Sequence, residues 1–293
     1  MDHLQALTEI NLDDLTGAFG LKQHVRLSAV ARRVFRAPAR AFARQMLEFD
    51  ENTLRHGLVE AARQTVRLHV RDIRVYGAEN IPRGPVLVVS NHPGMTDTLV
   101  LFASLGRSDL HAIALARPFL VSLANVSGRL LFLDENSLQR VGMMRAATRH
   151  LRAGGALLTF PAGRNEPDPA LEPGAVRSLA AWVDSAGAFV RLAPGTRVLP
   201  VCVRGVAWTA AARHPLARLR KVQEDRQLLA SVLQLLFAIA LGLRPVTATV
   251  QIGHPIPVEE MGPHGFSSLH RSLIGEMQRL MAERPGGSGV SIL

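Results

Sequence analysis

The sequence predicts an α/β fold: a mixed, largely parallel central sheet flanked by helices, preceded by a helical N-terminal segment. Three observations carry this. Short apolar runs recur at 86–90, 110–116, 130–133, 156–160 and 197–203, with helical stretches or turn residues between them. The runs are continuous rather than alternating, which suits strands buried on both faces. The residues of greatest chemical interest follow two of these runs directly, where open α/β sheets carry their sites.

Taken in order, residues 1–70 read as helices. Between 21 and 47 stand Lys22, Arg26, Arg32, Arg33, Arg36, Arg40 and Arg44 without one acidic residue, interleaved with Val25, Val30, Val34, Phe35, Phe42 and Met46. A basic amphipathic helix is a membrane-surface signature. A helical cap, with its apolar face on the main domain and its arginines solvated, fits the same pattern, and long basic side chains can serve both. Pro38 is expected to kink or divide this segment. A second helix of mixed charge covers 51–70. There follow a strand at 71–77, a turn at 80–84, the strand at 86–90, a helix bearing Asp97, and the strands at 110–116 and 130–133. A helix at 137–153 stops at Gly154-Gly155 and leads to the strand at 156–160. Residues 174–185 read as a helix, and 197–203 and 246–253 as strands.

Residues 228–243 form the most apolar stretch, 16 residues long, where a spanning helix needs about 20. It reads as a helix dipping into one leaflet or as a core helix. The tail, PGGSGVSIL, is expected to be mobile. The expected organisation is a membrane-associating basic segment at 1–70, an α/β domain at 71–284 and a flexible tail at 285–293.

The stretch 86–97, VLVVSNHPGMTD, organises the rest. Asn91 and His92 arrive where the buried strand ends. Pro93 disfavours helical geometry at His92, and Gly94 lets the chain turn. Thr96 is a candidate N-cap, with Asp97 in the first helical turn. In one continuous helix, residues five apart point well away from each other. With His92 on a strand end and Asp97 on the next helix, the two can meet. A carboxylate on one ring nitrogen fixes the tautomer and leaves the other nitrogen as a base. No serine or cysteine stands beside the pair, so the nucleophile would come with the substrate, most simply as a hydroxyl. A strand-end His bonded to a helix-start Asp with no chemistry is the plainer alternative.

Asn-His-x4-Asp after an apolar strand resembles the first motif of the glycerolipid acyltransferases of the lysophosphatidate acyltransferase type. Three further blocks follow in that family's order. Residues 128–134, GRLLFLD, are similar to its Gly-x-x-Phe-x-Asp segment. Phe160-Pro161-Ala162-Gly163 resembles Phe-Pro-Glu-Gly, and 198–205, VLPVCVRG, resembles its late Val-Pro-Val strand. The resemblance implies transfer of an acyl group from a thioester, acyl-CoA or acyl carrier protein, to a hydroxyl of a lyso-lipid. His92 is then the general base, Asp97 its orienter, and Asn91, Gly94, Thr96, Pro161, Gly163, Arg164 and Asn165 the substrate-binding positions. Ala162 stands where the family has Glu, Arg164-Asn165 where it has Thr-Arg, Gly94 where it has Ser, and Glu135 where it has Arg. Arg164 is positioned to recover an anion-binding role one residue early. Glu166 and Asp168 read as loop charges, with contact to substrate as the alternative.

Composition narrows the alternatives. The chain has 293 residues, 47% of them hydrophobic, and a formal net charge of +10. That charge favours acidic partners, an anionic membrane surface among them. With 5% aromatics and one tyrosine, stacking platforms for single-stranded nucleic acid are scarce, and nucleic acid is not an expected partner. The one cysteine, Cys202, excludes an internal disulfide or a CxxC metal site and reads as a buried, inert thiol. No nucleophile elbow, Walker loop, HExxH or Gly-x-Gly-x-x-Gly occurs, and no metal or cofactor is implied. Residues 1–14 lack the pattern of a signal peptide. The expected location is the cytoplasmic face of the cell membrane, peripheral or monotopic. A non-catalytic lipid-binding protein on the same fold, or an acyltransferase for an acceptor without phosphate, is the alternative.

Overall fold

A computed structural model of the chain describes residues 2–21, 23–133, 137–218, 220–256, 258 and 265–293. Its main elements are α1 (His3–Ala18), α2 (Val25–His56), α3 (Leu58–Val66), β1 (Asp72–Tyr76), β2 (Val86–Ser90), α4 (Asp97–Leu105), β3 (Leu110–Leu115), β4 (Leu130–Leu133), α5 (Ser137–Arg152), β5 (Ala156–Thr159), α6 (Ser185–Leu192), β6 (Arg197–Arg204), α7 (Gln223–Leu241), β7 (Thr247–Ile252), α8 (Gly265–Ala282) and β8 (Val290–Ser291). The eight strands form one sheet in the order β4-β3-β5-β2-β6-β7-β1-β8. Pairing is parallel from β4 through β6 and between β7 and β1. It is antiparallel where β6 meets β7 and where β1 meets β8. The mixed, largely parallel sheet expected from the sequence is present.

Both faces of the sheet are covered, which is why the central strands are continuously apolar. In β2 every residue is buried. Successive strand side chains point to opposite faces. Val86 and Val88 accordingly pack with Met46, Phe49, Val66, Val100 and Leu101 from α2, α3 and α4. Leu87 and Val89 pack with Leu151, Phe189, Leu273 and Met277 from α5, α6 and α8. Cys202 lies fully buried in the second of these layers, and burial pushes its thiol up to about 11.

Several elements depart from the sequence reading. α2 runs on through Pro38 as one helix of 32 residues rather than dividing there. Arg32 and Arg36 pair with Glu9, and Arg32 also with Asp13, so α1 braces α2 along the turns before the proline. The break comes instead at Gly57, whose φ of 82° favours glycine. Residues 175–181 form a tight 3-10 stretch, and the α-helix begins only at Ser185, capped by the Asp184 carboxylate. The tail is not loose at its end: β8 pairs with β1, and the Ile292 N–H donates to the Ile73 carbonyl. Edge strand β1 offers unpaired backbone groups, and the tail satisfies them.

Residues 228–241 of the apolar stretch lie in α7, which packs against α1 and α2 and buries Leu229, Val232, Leu233 and Ala238. Leu241 and Leu243 stay exposed. Among the described residues, no helix is long and apolar enough to cross a membrane.

Candidate active site

The site forms at the carboxyl ends of β2 and β5. His92 follows β2, and Asp97 opens α4. The His92 Nδ1 and Asp97 Oδ2 atoms are 2.7 Å apart. Asp97 is fully buried, whereas the His92 side chain keeps 27% of its surface exposed. The same Asp97 oxygen accepts the Gly94 N–H at 2.9 Å, and its other oxygen accepts the Thr98 hydroxyl at 3.1 Å. With Nδ1–H donating to Asp97, His92 Nε2 carries the lone pair, and it has no hydrogen-bond partner among the described residues. Burial works to lower the His92 pKa. The charge of Asp97, its hydrogen bond and the charge of Glu166 outweigh burial and the nearby Arg117, and the net shift is upward.

The loop after β5 is clamped to this histidine. The Glu166 N–H donates to the His92 carbonyl at 2.8 Å, and the His92 N–H donates to Glu166 Oε2 at 3.0 Å. The remaining Glu166 oxygen accepts from Ser178 and Trp182. The Phe160 ring stacks on the His92 imidazole, with centroids 4.5 Å apart. Asp168 accepts the N–H groups of Ala170, Gly205, Val206 and Ala207, tying the loop to the end of β6. Burial raises the pKa of both Glu166 and Asp168 against these hydrogen bonds. The sequence read them as loop charges; both are on the loop but buried. Their spacing follows no pattern, and only the fold reveals that unpaired N–H groups converge on them.

His92 opens onto a cavity of about 1510 Å³ lined largely by apolar side chains, among them Phe42, Met46, Leu99, Phe102, Phe119 and Leu236. Arg117, Arg145, Arg149 and Arg164 line it too. Of the sequence-derived positions, Thr96, Pro161, Gly163, Arg164 and Asn165 line this cavity with His92. Asn91 does not. It is fully buried, and its side-chain amide exchanges two 2.8 Å hydrogen bonds with the backbone of Val203, prolonging the β2–β6 pairing. Gly94 is buried, and its N–H is committed to Asp97. Thr96 precedes α4 but makes no capping hydrogen bond. Gly163 turns the loop at φ 64°, its N–H donating to the Phe160 carbonyl. Arg164 pairs across the opening with Glu224 of α7 at 2.6 Å, both side chains more than half exposed. Asp134 and Glu135, which figured in the second motif, lie outside the described residues. Arg117 has no sequence signal of its own and is found only through the cavity.

A strand-end histidine held by a buried carboxylate, beside an apolar cavity with a basic lining, has the geometry that general-base chemistry on an apolar substrate requires. Residues 72–204 match the protein-family model described as Acyltransferase. Among solved structures the chain is similar to the 1-acyl-sn-glycerophosphate (LPA) acyltransferase PlsC from Thermotoga maritima, at 16% identity and a TM-score of 0.46, over 84% of this chain and 88% of that one. No curated protein matches the chain.

Proposed function

We propose that the protein moves a fatty acyl group from acyl-CoA or acyl carrier protein to a hydroxyl of a lyso-lipid or related glycerolipid, working peripherally at the cytoplasmic face of an anionic membrane. The observation that carries the reading is the His92–Asp97 pair, with Nε2 unengaged beside an apolar cavity. Nε2 takes the proton of the acceptor hydroxyl as its oxygen attacks the thioester carbonyl. The tetrahedral intermediate expels the thiolate, which takes the proton back from the imidazolium. The charge on Asp97 favours that imidazolium while it exists. Oxyanion stabilisation falls to the N–H groups of Arg164 and Asn165, since those of Gly163 and Glu166 already have acceptors. The acyl chain occupies the apolar part of the cavity, and Arg117, Arg145 and Arg149 meet the anionic ends of donor and acceptor.

Membrane contact is supported by the outer face of α2. Leu27, Val30 and Val34 are 57–64% exposed. At the helical period they lie beside a stripe of the exposed Arg26, Arg33, Arg40 and Arg44.

The test is purified protein with acyl-CoA and acyl carrier protein donors against a panel of lyso-lipids, guided by the lipids that accumulate in a deletion strain. Transfer that depends on His92 is expected. Near-wild-type turnover by His92→Ala would refute the mechanism.

A further inference from the structure

His69 lies in the turn between α3 and β1. β1 runs opposite to β2, so the start of β1 shares a sheet edge with the end of β2 that carries His92. The side chain lines the same cavity as His92, yet His69 is only 4% exposed. Neither of its ring nitrogens has a hydrogen-bond partner among the described residues. Its surroundings are apolar: the Phe42 ring stands edge-on at 6.5 Å, and Phe42 stacks on Phe119 at 5.8 Å.

An imidazole in such a place is costly to the fold. Buried polar groups are almost always paired, and leaving one unpaired costs more than an apolar replacement would. Phenylalanine or leucine would line this wall without that cost. The acyltransfer mechanism makes no use of His69, so the cost points to a ligand that satisfies the ring.

The surroundings narrow that ligand's chemistry. Burial alone drives the His69 pKa down to about 4, so near neutral pH the ring is uncharged, with one N–H donor and one lone pair. A neutral ring is a poor seat for a phosphate or carboxylate, which would need a cation. Among the described residues no group of three His, Cys, Asp or Glu side chains could hold a metal ion. A hydroxyl fits: it can accept from the N–H or donate to the lone pair, and it costs little to carry into an apolar cavity on a hydrocarbon chain.

We infer that His69 is a specificity residue for the acyl donor, binding a hydroxyl carried along the fatty chain, so that the protein favours hydroxyacyl over plain acyl groups. This rests on the reading above that the cavity receives the acyl chain. A site built to hydrogen-bond a substrate hydroxyl discriminates strongly against the analogue lacking it, because the protein group is then left unpaired.

The experiment compares stearoyl-CoA with hydroxystearoyl-CoA isomers bearing the hydroxyl near the carbonyl, at mid-chain and at the methyl end. At least one isomer is expected to exceed stearoyl-CoA in kcat/KM by about tenfold or more. His69→Phe removes the preference while raising thermal stability, and His69→Gln retains part of it. Binding of stearate and the hydroxystearates, measured by calorimetry, reads the same preference without turnover. Equal handling of all chains by the wild type, or a preference that survives His69→Phe, overturns the inference. Discrimination in binding without transfer would refute the acyltransferase reading alone, and His92-dependent transfer without discrimination would refute the inference alone.

Discussion

His92 is held at four points: its side chain by Asp97, its backbone N–H and carbonyl by Glu166, and its ring face by Phe160. As the proposed base it is oriented before substrate arrives, and removing it should cost roughly 10²–10⁴-fold in kcat. His92→Ala should lose activity and keep the fold, because the ring is partly exposed. Asp97→Asn should lose a comparable factor by presenting the wrong tautomer; retained activity in either, on a confirmed substrate, would remove the pair from the chemistry. The pH profile gives an independent check. The proposed mechanism needs the neutral imidazole, and the folded His92 pKa lies above the ordinary 6.5, so kcat/KM should rise with pH about a midpoint higher than 6.5. Stability has the opposite sign. The protonated ring is favoured more in the fold than in the unfolded chain, so its contribution is full below about pH 6.5 and is lost as pH rises through the folded pKa. An activity midpoint at or below 6.5 would contradict this environment. The His and Asp were legible because a strand end, a proline and a helix start fix their relation locally. Glu166, Asp168 and Asn91 were not, since their partners stand as far off in the sequence as Val203.

The loop between β5 and α6, α7 and the C-terminal strand each carry a separable consequence at the scale of elements. Arg164 on the loop and Glu224 on α7 face each other across the cavity opening. A pair this exposed contributes only about 0–1 kcal/mol, so Arg164→Ala should barely move the Tm. If Arg164 exchanges Glu224 for an anionic acceptor group, Ala and Lys should both raise the acceptor KM several-fold and leave the donor KM alone, since Lys lacks the bidentate fork. Loss of stability with both constants changed together would make it a brace. The tail makes a different prediction. β8 pairs with β1, Ser291 bonds Asp72 at 2.6 Å, and Ile292 and Leu293 pack on the core. Removing residues 286–293 should lower stability by about 1–3 kcal/mol in denaturant unfolding; an unchanged midpoint would mean the edge needs no cover. Composition misled here: three glycines and a proline read as looseness, whereas the four residues after them supply the strand and two apolar anchors. The parallel core strands were legible because burial on both faces leaves an uninterrupted apolar run.

For the molecule as a whole, the question is whether the N-terminal helices are a membrane module or part of the body. They contribute to the same core as the sheet: Leu7, Ala43, Met46, Phe49, Ala61 and Val66 pack in one cluster with Val86, Val88 and Leu199. Deleting residues 1–70 should therefore leave an unfolded chain rather than a soluble enzyme with weakened membrane binding. Arg32 and Arg36 are spent on Glu9 and Asp13, so reversing them would break the α1–α2 contact. Arg26, Arg33, Arg40 and Arg44 are exposed, and no carboxylate pairs with them among the described residues. A basic side chain near an anionic surface is worth about 1 kcal/mol. Reversing these four to Glu should cut sedimentation with anionic vesicles at low salt by roughly a hundredfold or more while leaving the Tm within a few degrees. Val30→Asp with Val34→Asp should also weaken binding, and that loss should persist at high salt, because it removes inserted apolar surface rather than charge. Undiminished binding by both variants would make the outer face of α2 merely solvated, and would move any membrane contact to the exposed end of α7 at Leu241 and Leu243.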